Sequence, residues 1–199
     1  MDLLIKMKHY VIFLIIAGIP FITSLGTNIT YLSGASLPPQ TLSNINLAGL
    51  LIGVITFYLW IWSVILHLSK AMDTKKITAS STFSLALLVS FVFGILALFY
   101  FHTGGIMSKD FIDQKDIVEE SPSLTIILAI ILFISLSLLL ISLNHLAYLL
   151  VMAERNREPH KTEYFSEFIM ALVFPIGLWF LQPRIQKVLA SKGLVNKKY

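Results

Sequence analysis

The sequence predicts an all-α integral membrane protein: four transmembrane helices, then a short broken apolar segment and a C-terminal amphipathic helix. Three observations predict it. Apolar residues make up 56% of the 199 residues and charged ones 13%, about half the charged share of a soluble domain, and mean hydropathy is +0.81. Four apolar runs are long enough to cross a bilayer, which takes about 20 residues for a hydrocarbon core of about 30 Å. Thirteen of the 15 Lys and Arg residues fall where alternation of those runs puts a single side of the membrane.

The first run covers about 10–32 (YVIFLIIAGIPFITSLGTNITYL). Lys6 and Lys8 ahead of it resemble the front of a signal peptide, but no soluble domain follows, so it is expected to stay as an anchor. Gly18 and Pro20 are expected to bend it near its middle. An uncharged linker follows, where Pro38-Pro39 is expected to exclude helix. The second run covers about 47–66, and Tyr58, Trp60 and Trp62 stand toward its end, where amphipathic rings suit a headgroup layer. The third covers about 82–101, with Ser80 or Ser81 placed to cap it. A loop of net charge −3 separates it from the fourth run, about 123–150, which opens on Ser121-Pro122 as cap and first-turn proline and stays helical in pattern to about Glu154.

Residues 1–154 thus form one bundle and residues 155–199 a basic tail. Two of the thirteen Lys and Arg precede the first run, three lie between the second and third, and eight belong to the tail. Loops rich in Lys and Arg stay in the cytoplasm, so both termini are expected there, in a multi-pass protein of a bacterial inner membrane. The net charge of +4 then reflects orientation and attraction to anionic lipid headgroups.

Within the tail, the uninterrupted apolar segment 168–181 is 14 residues long. As a straight helix it covers about 21 Å, too short to span. Pro175 and Gly177 split it further, and a full crossing would leave Arg184, Lys187, Lys192, Lys197 and Lys198 outside. A re-entrant hairpin and an interfacial helix pair both remain open. Gln182 and Pro183 are expected to start a new helix, with Ile185, Val188 and Leu189 on one face, Arg184 and Lys187 beside or opposite it, and Gly193 at its end. Such a helix suits an anionic membrane surface or a partner's groove, and Pro175, Gly177, Trp179, Gln182, Pro183, Arg184 and Lys187 are the candidate docking residues.

Further candidates are polar or small. His67, Asn144 and His145 lie at the same end of the second and fourth runs, as satisfied interfacial groups or as one shared polar site. Gly49 and Gly53 form a GxxxG, which lets backbones approach closely within the chain or between subunits. Arg155, Asn156 and His160 keep an Arg-x4-His spacing. A stop-transfer charge cluster before a helix-ending Pro159 accounts for them, and the spacing also resembles the active-site motif of HEPN ribonucleases, which implies metal-free RNA cleavage by paired Arg and His. No Cys, no cofactor signature and no metal-ligating pattern occurs, and the four runs contain no charged residue. That argues against an ion-coupled carrier or pump.

Two wider resemblances exist. FPIGLWFLQPRIQK looks like the tail of several small bacterial membrane proteins, which implies kinship without an activity. The whole plan of four spans and a basic cytoplasmic tail is similar to the four-helix membrane accessory proteins of type VI-B RNA-targeting CRISPR loci. That resemblance implies modulation of RNA-guided interference at the membrane, and no direct contact of this chain with nucleic acid is expected. The expected function is therefore non-enzymatic. It is an accessory or effector protein that acts by homo-oligomerisation, as a pore or as a modulator of a cytoplasmic partner, and a scaffold subunit of a larger complex or transporter is the alternative.

Overall fold

The computed structural model describes residues 2–34, 37–72, 77–102 and 122–194, and every regular element among them is helical. In chain order these are α1 (Asp2–Lys6), α2 (His9–Phe13), α3 (Ile19–Leu32), α4 (Pro39–Lys70), α5 (Ile77–His102), α6 (Pro122–Arg155), α7 (Lys161–Leu172) and α8 (Leu178–Ser191). One π-helical turn, Leu14–Gly18, joins α2 to α3. Four helical stretches are long and apolar enough to cross a membrane: His9–Leu32, Gln40–Lys70, Thr82–Tyr100 and Ile126–Arg155.

The π turn has a local cause. Pro20 has no N–H, so the Ile16 carbonyl four residues earlier loses its helical donor, and a widened turn just upstream absorbs the misfit. That carbonyl faces Gly53 of α4. A methyl group on Gly53 would sit 2.7 Å from the Ile16 oxygen and 2.8 Å from the Pro20 ring, and one on Gly49 would overlap the Thr23 side chain. Both glycines thus seat α4 against the π turn and α3 within the chain. Gly53→Ala is expected to destabilise by about 1–3 kcal/mol, because a backbone carbonyl and a ring cannot yield. Gly49→Ala is expected to cost less, since Thr23 can rotate. Thermal unfolding of both variants in detergent checks the order.

The long apolar helices run further than the apolar runs that mark them. Pro39 is the first residue of α4 rather than part of a helix-free linker, because the first helical position needs no N–H and favours the fixed φ of proline. α5 begins at Ile77, so Ser80 and Ser81 lie inside it and do not cap it. Ser121 and the acidic loop fall outside the described residues.

α4, α5 and α6 are joined midway by hydroxyls. Ser90 donates to the Ser135 carbonyl at 2.8 Å, Ser135 returns a bond to the Ser90 carbonyl at 2.9 Å, and the Tyr58 hydroxyl meets Ser90 Oγ at 2.9 Å. Apolar contact alone separates protein from lipid weakly, so reciprocal bonds between small residues are an effective way to hold such helices together. Tyr58 and Trp60 are therefore packed within the protein, and Trp60 is fully buried. Their polar tips found partners on other helices, which overrides the preference of such rings for a headgroup layer.

The core lies at one end of the bundle, where α4 and α6 finish. It joins Trp60 to Leu68 of α4, Leu143 to Ala153 of α6, Ile5 of α1, and the inner faces of α7 and α8. Elsewhere the long helices present apolar side chains outward, among them Phe21 on α3, Leu85 on α5 and Phe133 on α6, the last 73% exposed. Outward apolar side chains on helices of this length are what a lipid-facing surface requires.

Candidate functional site

The tail folds back on the bundle as a helical hairpin. α6 ends where Asn156 takes a left-handed conformation, φ 54°, a turn that Asn tolerates better than most residues. α7 then starts behind His160. The Glu163 carboxylate accepts the His160 backbone N–H at 2.9 Å, and its other oxygen takes Arg155 and Arg157 at 2.5 Å each. The three residues of the Arg-x4-His spacing are thus occupied as a helix stop, an ion-pair partner and a helix start. Lys192, just past the end of α8, also donates to the Asn156 side chain.

The chain leaves helix after Leu172 and re-enters it at Leu178, around Pro175 and Gly177. Gly177 packs so tightly on Met170 that any Cβ would coincide with the Met170 carbonyl. α8 therefore starts at Leu178, Gln182 is not a cap, and Pro183 stands inside the helix. Glycine at the turn lets winding resume at once, and Pro183 faces outward, where its missing N–H strains only the exposed side. The far end of α8 closes on Gly193, φ 72°. Its N–H reaches the Ala190 carbonyl and that of Leu194 reaches Leu189, the paired bonds of a glycine-terminated helix.

Gln182 is the centre of the site. It is fully buried, accepts the Trp60 indole N–H at 2.8 Å, and donates to the carbonyls of Leu4, Ile5 and Met7 at 3.1–3.3 Å. Gln186, one turn on, donates to the Ile5 and Met7 carbonyls at 2.8 and 2.9 Å. Those carbonyls need donors because α1 stops at Lys6 and the chain is extended at Lys8, so the usual donors four residues later are not in place. Two side-chain amides thus complete the end of α1 and tie α1, α4 and α8 into one latch. Trp179 adds ring contacts with His9 at 4.7 Å and Phe13 at 5.7 Å. Ile185, Val188 and Leu189 are buried beside the latch. The apolar face of α8 is thus covered by its own chain and is not open to a membrane surface or a partner's groove.

An ionic rim closes the hairpin above the latch. Arg184 grips Glu154 of α6 with two bonds, 3.0 and 2.7 Å, and Glu167 of α7 with a third at 2.8 Å. The Glu154 carboxylate, first among the causes, and Glu167 raise the Arg184 pKa further above its ordinary range. Burial pushes Glu167 up, but bonds from Ser166 and Arg184 outweigh it, so its pKa lies below the usual 4.5. Glu163 is likewise lowered, chiefly by Arg157 and the His160 N–H. A carboxylate lowered on folding binds fewer protons than in the unfolded chain. The rim's stability is therefore complete above about pH 4.5 and declines as pH falls further. Protease protection of the hairpin is expected to hold from pH 7 to about 5 and to fall below 4.5, with Arg184→Gln removing much of that dependence.

Among the described residues no bond links the three polar candidates of the second and fourth runs to one another. His145 is buried and stacks on Phe83 of α5 at 3.6 Å, with Nε2 unpartnered. Asn144 is exposed, since neighbouring helical residues point about 100° apart. His67 Nδ1 shares a bond of 2.7 Å with the Ser63 carbonyl of its own helix. Among the described residues no group of His, Asp and Glu is placed to hold a metal. Lys187 and Pro183 are exposed on the outer face of α8. Sequence reasoning missed Trp60, Gln186, Glu154, Glu163 and Glu167 as site residues. The one available signal was a pair of amides, Gln182 and Gln186, one turn apart on the apolar face of α8. No family model, curated protein or solved structure matches this chain.

Proposed function

We propose that this is a non-catalytic integral membrane protein of a bacterial inner membrane, an accessory component that holds a rigid basic surface against a cytoplasmic partner. In this reading the four long helices span the bilayer and both termini lie in the cytoplasm. The charge partition supports that orientation, and so does the direct hydrogen bonding of α8 to α1, which keeps the two ends of the described chain together. The observation that carries the functional reading is the occupation of the tail's chemical groups by structure. Arg155 and Arg157 hold Glu163, His160 starts α7, and Arg184 is shared by two carboxylates. Among the ionisable groups left outward on the tail are the cations Lys161 and Lys187, which suit acidic headgroups and an acidic partner surface. The likeness in plan to membrane accessory proteins of RNA-targeting CRISPR loci makes an RNA-guided effector one partner of this kind.

Native mass and ion flux on protein reconstituted in liposomes test the reading. Assembly without conductance is the expected result, and a sustained conductance overturns it in favour of a pore. RNA cleavage is tested with Arg155→Lys combined with His160→Asn, which keeps the charge and a capping side chain. No RNA degradation above that of this double variant is expected from the purified protein.

A further inference from the structure

We propose that the α7–α8 hairpin is a re-entrant element whose outer face is immersed in the acyl chains of one leaflet, with its turn near the bilayer mid-plane. This rests on the membrane reading of the four long helices. Three observations support it. The first is depth. Phe174 at the turn packs on Phe57 at 4.4 Å and Trp60 at 6.0 Å. Phe57 lies 13 residues before Lys70, the end of α4, or about 20 Å along the helix axis. A bilayer half is about 15 Å thick, so the turn reaches the middle of the span that it packs on.

The second is the distribution of polarity. No ionisable side chain occurs from residue 168 to 183, and the charges begin at Glu167 and Arg184 on the two legs. The inward face carries the glutamine latch, whereas Leu172, Val173, Ile176 and Phe180 point outward, with Ile176 60% exposed. An interfacial helix pair has the opposite arrangement, with its apolar face down and its polar face toward water. Here the polar groups of the latch are sealed against the bundle among buried apolar side chains, and the apolar residues that point outward near the turn continue the apolar surface of the long helices.

The third is the backbone of the turn. Non-helical chain is tolerated at membrane depth only where its polar groups are satisfied within protein. Most of the turn's N–H groups are satisfied: those of Val173, Gly177, Leu178, Trp179 and Phe180 donate to Ile169, Val173, Pro175, Ile176 and Gly177 carbonyls at 2.9–3.3 Å, and those of Phe174 and Ile176 have no backbone acceptor. Pro175 has no amide to satisfy.

The chain has no cysteine, so single spin labels can be placed without a background. Val173→Cys, Ile176→Cys, Phe133→Cys and Lys187→Cys are labelled in the full chain, reconstituted in phosphatidylcholine and phosphatidylglycerol vesicles. Collision with oxygen is compared with collision with a water-soluble nickel chelate. The expected result is that labels at 173 and 176 match the one at 133, favouring oxygen, whereas the label at 187 favours nickel. Nickel access at 173 and 176 with 133 still in lipid overturns the proposal and leaves the spans intact. Shielding of 173 and 176 from both reagents also overturns it, since a second copy or a protein partner would then cover the face. Nickel access at 133 overturns the membrane reading itself.

Discussion

Replacing Gly177 by alanine is expected to cost at least about 3 kcal/mol and to open the hairpin. The methyl group would fall on the backbone carbonyl of Met170, not on the tip of a side chain, so no rotamer change can relieve the clash. The turn between α7 and α8 has to widen, and Leu178, Leu181 and Gln182 then shift from their buried positions. For a chain of this size that loss lowers Tm by roughly 6–12 °C in a detergent melt, and it exposes residues 173–177 to protease. Gly26→Ala is the control. A methyl group there meets nothing within 4 Å, and a helical alanine is expected to be neutral or stabilising by up to about 1 kcal/mol. Equal effects of the two substitutions would show that close packing at Gly177 does not hold the hairpin shut.

Gln182→Leu is expected to be the second most damaging change. Leucine keeps the bulk but strands the Trp60 N–H and the Leu4 carbonyl, while Gln186 still serves Ile5 and Met7. Single bonds between helices in apolar surroundings contribute about 0.6 kcal/mol on average and up to about 1.7. Loss of four bonds, partly compensated, is therefore expected to cost about 2 kcal/mol. Trp60→Phe removes one partner of the same bond, so the double variant should be less unstable than the sum of the two by about 1 kcal/mol. Amide exchange gives the second readout: residues 5–7 should lose protection in Gln182→Leu although the substitution is more than 170 positions away. Strict additivity would mean that Gln182 and Trp60 only lie near each other.

The long elements were legible because lipid-compatible helices are marked by a run of composition, and nothing soluble imitates runs of this length. The break in the tail was equally plain, since Pro175 and Gly177 interrupt an apolar stretch already too short to span. The latch was not legible. A glutamine on an apolar face signals that a partner exists but not which one, and its acceptors here are main-chain carbonyls, which no side-chain pattern reveals. Trp60 pointed the wrong way for a related reason. Its indole is content in a headgroup layer or against a buried amide, and only the tertiary position of α8 decides between them. The helix starts were misjudged at Pro39 and at Leu178. In both places a residue that excludes helix interior is compatible with a helix beginning, and the flanking sequence does not say which applies.

The bonds from Gln182 and Gln186 to Ile5 also have a bearing on how the molecule is made. Their sequence separations are 177 and 181 residues. Synthesis proceeds at about 5–20 residues per second, so the end of α1 waits roughly 10–35 s for its donors. Throughout that interval all four long apolar helices are made, but the carbonyls of Ile5 and Met7 lack the side-chain donors that hold them in the folded chain. The latch is then a late step that waits for the synthesis of α8. A product that stops short of Leu178 would keep its four long helices and lack the bonds that hold α1 in place.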